Sequence, residues 1–352
     1  MNKNKVFIGM LAVAALLASC GQNGGKTEKT ANLSGAGATF PAPFYNIVLK
    51  NFTEKSDSKV TYGAVGSGGG IRSLKDQTVD FGATDVFLSD AELAEMGGEV
   101  LHIPTCLGAV VVSYNLKEIS ELKLTSALIS EIFRGKITRW NDQKIKAINH
   151  NLNLPDKAIT AVYRSDGSGT TAVFSEYMAK VDEAWNAEIG VGKSLKFSVG
   201  VAAKGNPGVA GVVAETDGAI GYIGSEYAFA LNLPMASLQN SSGNFVQATD
   251  KSISAAAEAE IPADTRASIT NSSNSEAYPV STFTWLIVFK EQNYNKRTTA
   301  QAKSLQQLLT YITSAEGQEI AVKTHYASLP ETVAQKTATI IQSMTYDNKP
   351  IE

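Results

Sequence analysis

Cysteine and histidine are scarce in this chain of 352 residues, which has two of the first and three of the second. Cys106 stands in an apolar run (IPTCLGAVVV) and reads as core, and Cys20 falls in an N-terminal signal, so no intrachain disulfide is expected. His102, His150 and His325 are scattered without metal-ligand spacing, so no metal site and no cofactor are expected. Positive charge is not in excess either. With 31 Lys and Arg against 34 Asp and Glu the formal charge is −3, which argues against nucleic acid as a partner. Beyond residue 17 no apolar run is long enough to span a bilayer, and no internal repeat stands out.

What is present begins with Lys3 and Lys5, an apolar run from Val6 to Leu17, and then Leu17-Ala18-Ser19-Cys20. The run is too short for a mature membrane helix, and small residues followed at once by cysteine have the form of a lipobox. The expectation is a signal over 1–19, lipidation at Cys20, and a polar tether over 20–32 that places the protein outside the cytoplasm on a membrane. The twelve residues from Gly21 to Asn32 reach on the order of 40 Å when extended. Removal of the signal leaves 333 residues with a charge near −5, more chain than one hydrophobic core usually organises, so two domains are expected.

Three strand-to-helix turns carry hydroxyls on flexible backbone. The first is Thr39-Phe40, after the strand LSGAG and before a helix entered through Pro41 and Pro43, whose Phe44, Ile47, Val48 and Phe52 should face the core. The second is Gly66-Ser67-Gly68-Gly69-Gly70, with a helix expected from Ile71 to Gln77. The third lies in ITAVYRSDGSGTTAVFSEYMAK, where a strand ends at Arg164 and a helix starts near Ser168. A helix N-terminus offers unpaired N–H groups and a positive dipole end, Arg164 adds a planar cation, and Asp166 is placed to orient it. Any one such turn is ordinarily plain capping. Three of them, with Arg164, Ser168, Gly169 and Thr170 on the last, make a cradle for a tetrahedral oxyanion.

Asp85 closes the short strand VDFGAT, at the end of an α/β strand where ligands bind. A carboxylate suits an anion site only when the anion carries a proton, because an ionised carboxylate can only accept hydrogen bonds. That favours phosphate over sulfate or molybdate. Enzyme readings fare poorly. Val65 and Asp166 stand where a nucleophile elbow would have glycine before Ser67 and Ser168, and Gly192-Lys193-Ser194 lacks a P-loop's first glycine, Ala187 standing there. Trp140, Trp185 and Trp285 are well separated and read as packing residues. Leu107–Tyr114 and Ser281–Phe289 are near-continuous apolar strands, expected to cross between two α/β lobes, 33–112 with 284–352 and 113–283. The polar stretch from Gln239 to Tyr278 should be peripheral to the ligand.

GAGATFPAPFY, VGSGGG, VDFGATD, RGKITRWND, RSDGSGTT, GAIGYI and HYASLP occur in order from about Leu33 to about Pro330. With these the chain resembles the periplasmic phosphate-binding proteins of ABC-type phosphate uptake systems. The resemblance implies a two-lobed α/β clamshell of the periplasmic-binding-protein kind with two crossover strands. It puts phosphate ligands at Thr39, Phe40, Ser67, Asp85, Arg164, Ser168, Gly169 and Thr170, with Phe40 and Gly169 acting through backbone N–H and Asp166 as the arginine's acidic partner. It also implies delivery of phosphate to a membrane permease, no catalysis, and a monomeric shuttle. One departure is Gly68, where some relatives have a second serine. The alternatives are a receptor for another tetrahedral oxyanion and a phosphate-sensing surface lipoprotein.

Overall fold

The computed structural model describes residues 31–351; the expected signal, Cys20 and the tether up to residue 30 lie outside the described residues. The chain begins with β1 (Asn32–Gly37), α1 (Ala42–Lys55), β2 (Lys59–Ala64), α2 (Ser67–Lys75), β3 (Phe81–Thr84), α3 (Asp90–Ala94) and the long β4 (Val100–Tyr114). There follow β5 (Lys123–Leu124), α4 (Ser126–Phe133), α5 (Gln143–Ile148), β6 (Thr160–Arg164), α6 (Gly169–Val181), α7 (Glu183–Glu188), β7 (Val201–Ala203), α8 (Gly205–Glu215), β8 (Ala219–Gly224) and α9 (Ser225–Ala230). The remainder forms β9 (Ser237–Gln239), β10 (Phe245–Val246), α10 (Asp250–Ala256), β11 (Ser281–Phe289), α11 (Thr299–Thr313), α12 (Ala315–Lys323), α13 (Glu331–Gln342) and a last hairpin, β12 (Thr345–Tyr346) with β13 (Lys349–Pro350).

One eight-stranded sheet, in the order β2-β1-β3-β11-β4-β8-β6-β7, runs through the molecule. Its two halves meet on β4, which pairs with β11 along Val100–Ala109 and with β8 along Val110–Tyr114. β4 is buried along its length save for half-buried Leu101, as a strand covered on both faces must be. The other strand expected to cross, β11, pairs only with β3 and with the first part of β4. An apolar run announces burial on both faces but not the partners. Within each half the strands that feed the turns are parallel, β1 with β2 and β3, and β6 with β7 and β8, so their carboxyl ends lie on common edges.

Local signals mostly behave as the sequence dictates. Ser168 caps α6 by accepting from Thr171 N–H at 2.9 Å, and Ser89 with Glu92 forms a capping box on α3. On α1 the buried rows are Phe44-Val48-Phe52 and Tyr45-Leu49, whereas Ile47, expected inside, is 45% exposed. α2 starts at Ser67, four residues earlier than the glycine run suggests. Packing overrides propensity there, because a Cβ on Gly70 would lie 2.5 Å from the Ala36 carbonyl oxygen. The 239–278 stretch is less peripheral to the core than its polarity suggests, burying Ile253, Ile261, Ile269 and Tyr278. Trp140, Trp185, Trp285 and Cys106 are buried packing residues.

Candidate functional site

The turn after β1 is held from outside by three tyrosines. Tyr62, Tyr227 and Tyr326 donate their hydroxyls to the carbonyls of Ala38, Thr39 and Phe40 at 2.6, 2.5 and 2.6 Å. With the carbonyls engaged on that side, the N–H groups of Thr39 and Phe40 find no acceptor among the described residues. The Phe40 ring is fully buried against Gly108 and Tyr326, so only its backbone is left for a ligand.

The turns after β2 and β6 pack directly on one another. Gly68 N–H donates to the Gly167 carbonyl at 2.9 Å. A Cβ on Gly66, which has φ +92°, would lie 2.5 Å from Asp166 Oδ2, and one on Gly169 would lie 2.3 Å from Ser67 Oγ and 2.5 Å from Asp85 Oδ2. Gly169 therefore lets the start of α6 reach Ser67 and Asp85 across the two halves of the sheet, where the sequence suggested only a close approach to a ligand.

Arg164 is 4% exposed and bound by both oxygens of Asp166, Nε to Oδ1 at 2.8 Å and Nη2 to Oδ2 at 2.6 Å. Nη1 reaches Thr170 Oγ1 at 3.3 Å. Burial pushes the Asp166 carboxyl up, but the Arg164 guanidinium and the Gly205 N–H, 2.9 Å from Oδ1, bring it below its ordinary value. The cation is thus fixed in direction and partly neutralised.

Asp85 is 1% exposed; Thr284 Oγ1 donates to its Oδ1 at 3.0 Å, and its own N–H donates to Ser67 Oγ at 3.3 Å. Burial raises its pKa to about 7, against the downward pull of Thr284, Arg164 and Ser67. Near neutrality this carboxyl is poised between accepting a proton and accepting a hydrogen bond. Thr39, Ser67, Ser168 and Thr170 are likewise buried. Thr39, Ser168 and Thr170 each accept from protein N–H groups and donate to no described residue, so their protons are available to an acceptor. All the residues the sequence singles out for the anion therefore come together at the meeting of the two sheet halves. The arrangement offers several donors, one cation held by the Asp166 carboxylate, and a buried carboxyl at Asp85, with a second buried carboxyl, Glu226, close enough to repel it. Among the described residues no group of three or more His, Cys, Asp or Glu is arranged to hold a metal ion.

The PBP superfamily domain matches residues 24–316. Phosphate-binding protein PstS of Xylella fastidiosa is 36% identical over 313 residues, covering 88% of this chain and 84% of that protein. PstS of Pasteurella multocida is 36% identical over 315 residues, covering 88% of this chain and 90% of its own. The chain belongs to the PstS family of phosphate-binding proteins. Solved relatives share its two-lobed fold at lower identity. A high-affinity periplasmic phosphate-binding protein with phosphate bound superposes with a TM-score of 0.70 at 20% identity, over 88% of this chain and 93% of that one. A phosphate-binding protein from Stenotrophomonas maltophilia gives 0.66 at 18%, over 88% and 93%.

Three residues at this meeting point escaped sequence reasoning. Asn206, near the start of α8, is fully buried and touches both Thr39 and Thr170. Tyr227 gave no local signal. Thr284 had one, since Thr282 and Thr284 alternate within an otherwise apolar buried strand, and both bond to Asp85, Thr282 through the carbonyl.

Proposed function

We propose that this protein binds one inorganic phosphate ion outside the cytoplasm and delivers it to the membrane permease of an ABC phosphate transporter, without chemical turnover. The ligands are Thr39, Phe40, Ser67, Asp85, Arg164, Ser168, Gly169 and Thr170, with Asp166 orienting Arg164. The observation that carries this reading is the pairing of surplus donors with a buried carboxyl at Asp85, between Ser67 and Thr284. A fully deprotonated anion would meet repulsion there, whereas a protonated phosphate donates its own hydrogen to the carboxylate. The names of the PstS relatives support the same ligand.

Two lobes, 33–112 with 284–352 and 113–283, close over the ion in this reading, and the turns that touch across the sheet halves are the closing surfaces. Lipid on Cys20 anchors the protein, and a monomer is the working form. Calorimetric titration of the signal-free protein, stripped of bound anion, tests the reading with phosphate and then sulfate at neutral pH. One phosphate per chain and no heat from sulfate is the expected result. Equal or tighter sulfate binding would transfer the site to another oxyanion.

A further inference from the structure

Beyond the ligands themselves stands Asn206, on α8 and fully buried, whose amide bonds to both sides of the site. Its Oδ1 accepts the Gly224 N–H at 3.0 Å, which fixes which end of the amide is nitrogen. Nδ2 has two protons. One is placed toward Thr39 Oγ1 and the other toward Thr170 Oγ1, both at 3.0 Å. The Asn206 backbone N–H adds a bond to Thr39 Oγ1 at 3.1 Å, and Arg164 Nη1 adds one to Thr170 Oγ1 at 3.3 Å.

A hydroxyl has two lone pairs and one proton. At Thr39 and at Thr170 both lone pairs are taken by N–H donors that have no other protonation state near neutrality. Neither hydroxyl can accept from a ligand; each can only donate. We infer that Asn206 is the positioning residue that makes Thr39 and Thr170 obligate donors, one from each half of the sheet, and so sets the hydrogen-bond polarity of the anion site. Serine and threonine hydroxyls are ordinarily indifferent to polarity, since they rotate to suit either partner. Here rotation is blocked, and both hydroxyls call for a ligand oxygen that accepts. The ligand's proton is thereby turned away from both threonines and toward the buried carboxyl of Asp85. The same amide also ties closure to polarity, because Thr39 becomes an obligate donor only when α8 of the second half is docked against the first turn. The adjoining peptide is held as well: Gly205 N–H is engaged by Asp166 at 2.9 Å and Tyr227 hydroxyl by the Thr39 carbonyl at 2.5 Å.

This inference rests on phosphate as the ligand, and a mutant cycle separates the two. Asn206→Asp keeps shape and the acceptor for Gly224 but offers oxygen to the two threonine hydroxyls, turning their protons away from the ligand. Asn206→Leu removes the donors without adding charge. Each is made in the parent and in a Thr39→Val, Thr170→Val background, and phosphate affinity is measured by calorimetry alongside the melting temperature of the ligand-free protein. Loss of two hydrogen bonds to a charged ligand predicts roughly a 100-fold weaker Kd for Asn206→Asp in the parent. In the valine background the extra loss should shrink to that of the added charge, and for Asn206→Leu to near unity. Equal losses in both backgrounds would mean that Asn206 serves only to hold the turns in place, and would overturn the inference. So would parental affinity in either single variant. A parent that fails to bind phosphate would instead bring down the functional reading, and this one with it.

Discussion

At the residue scale the decisive group is Asp85, whose neighbours can be counted. Burial raises its pKa to about 7, well above the 3.8 of a free side chain, although Thr284, Arg164 and Ser67 pull the other way. In the unfolded chain the group ionises near its ordinary value. Between about pH 4 and pH 7 this group therefore binds more proton in the folded, ligand-free protein than in the unfolded chain, and its contribution to stability falls as pH rises through that window. Buried Glu226, whose pKa is likewise raised, adds to that fall, and buried His102, held down to about 4, opposes it. Asp85→Asn should make the melting temperature of the anion-free protein fall less, or rise more, from pH 5 to pH 8 than that of the parent, measured by thermal unfolding; an unchanged pH dependence would put the titration elsewhere. Arg164 contrasts with Asp85, since both oxygens of Asp166 hold its guanidinium in place.

Elements matter because turns, more than helices or strands, meet at the site. α6 begins where it does because Ser168 caps it, and the sequence alone locates that start. The sequence also marks glycine at Gly169, but the reason for it is tertiary: Ser67 and Asp85 lie where its side chain would be. Gly169→Ala should accordingly weaken phosphate binding by at least about tenfold, because the β2 and β6 turns must part to admit the methyl. Its φ is not left-handed, and alanine favours the first turn of a helix, so each half should still fold. Circular dichroism and calorimetry on the same sample distinguish this outcome from a general loss of structure. The start of α2 teaches the same lesson, since three successive glycines discourage a helix that the contact of Gly70 with β1 nevertheless permits.

For the whole molecule, the halves of the sheet also meet away from the anion cradle. Lys193, in the loop before β7, reaches Glu92 on α3 at 2.6 Å, with both side chains partly exposed. Arg266 bonds Asp90 on the same short helix at 3.0 Å. A partly exposed ion pair contributes modestly, on the order of 0.5 kcal/mol, and is screened by salt. Lys193→Ala should thus raise the rate of phosphate release only two- to threefold at low salt, by stopped-flow, and less at high salt. A much larger change would make this pair a principal latch. The main hold between the halves lies instead in the buried bonds of Thr39 with Asn206 and Tyr227.

The sequence by itself determined the three glycine and hydroxyl turns, the cation at Arg164 with its partner Asp166, the carboxylate at Asp85, and the α/β alternation that presents them. These are short-range facts: caps, strand ends and glycine runs are written within a few residues of the atoms they govern. Only the tertiary structure decided the partners of the two apolar strands, β4 lying between β11 and β8 and β11 between β3 and β4. It alone raised the Asp85 pKa and brought Asn206 between Thr39 and Thr170, 167 and 36 residues away in the chain. Burial, charge proximity and hydrogen-bond partners are properties of the packed state, set by which segments share a place, and a pattern of neighbours along the chain does not encode them.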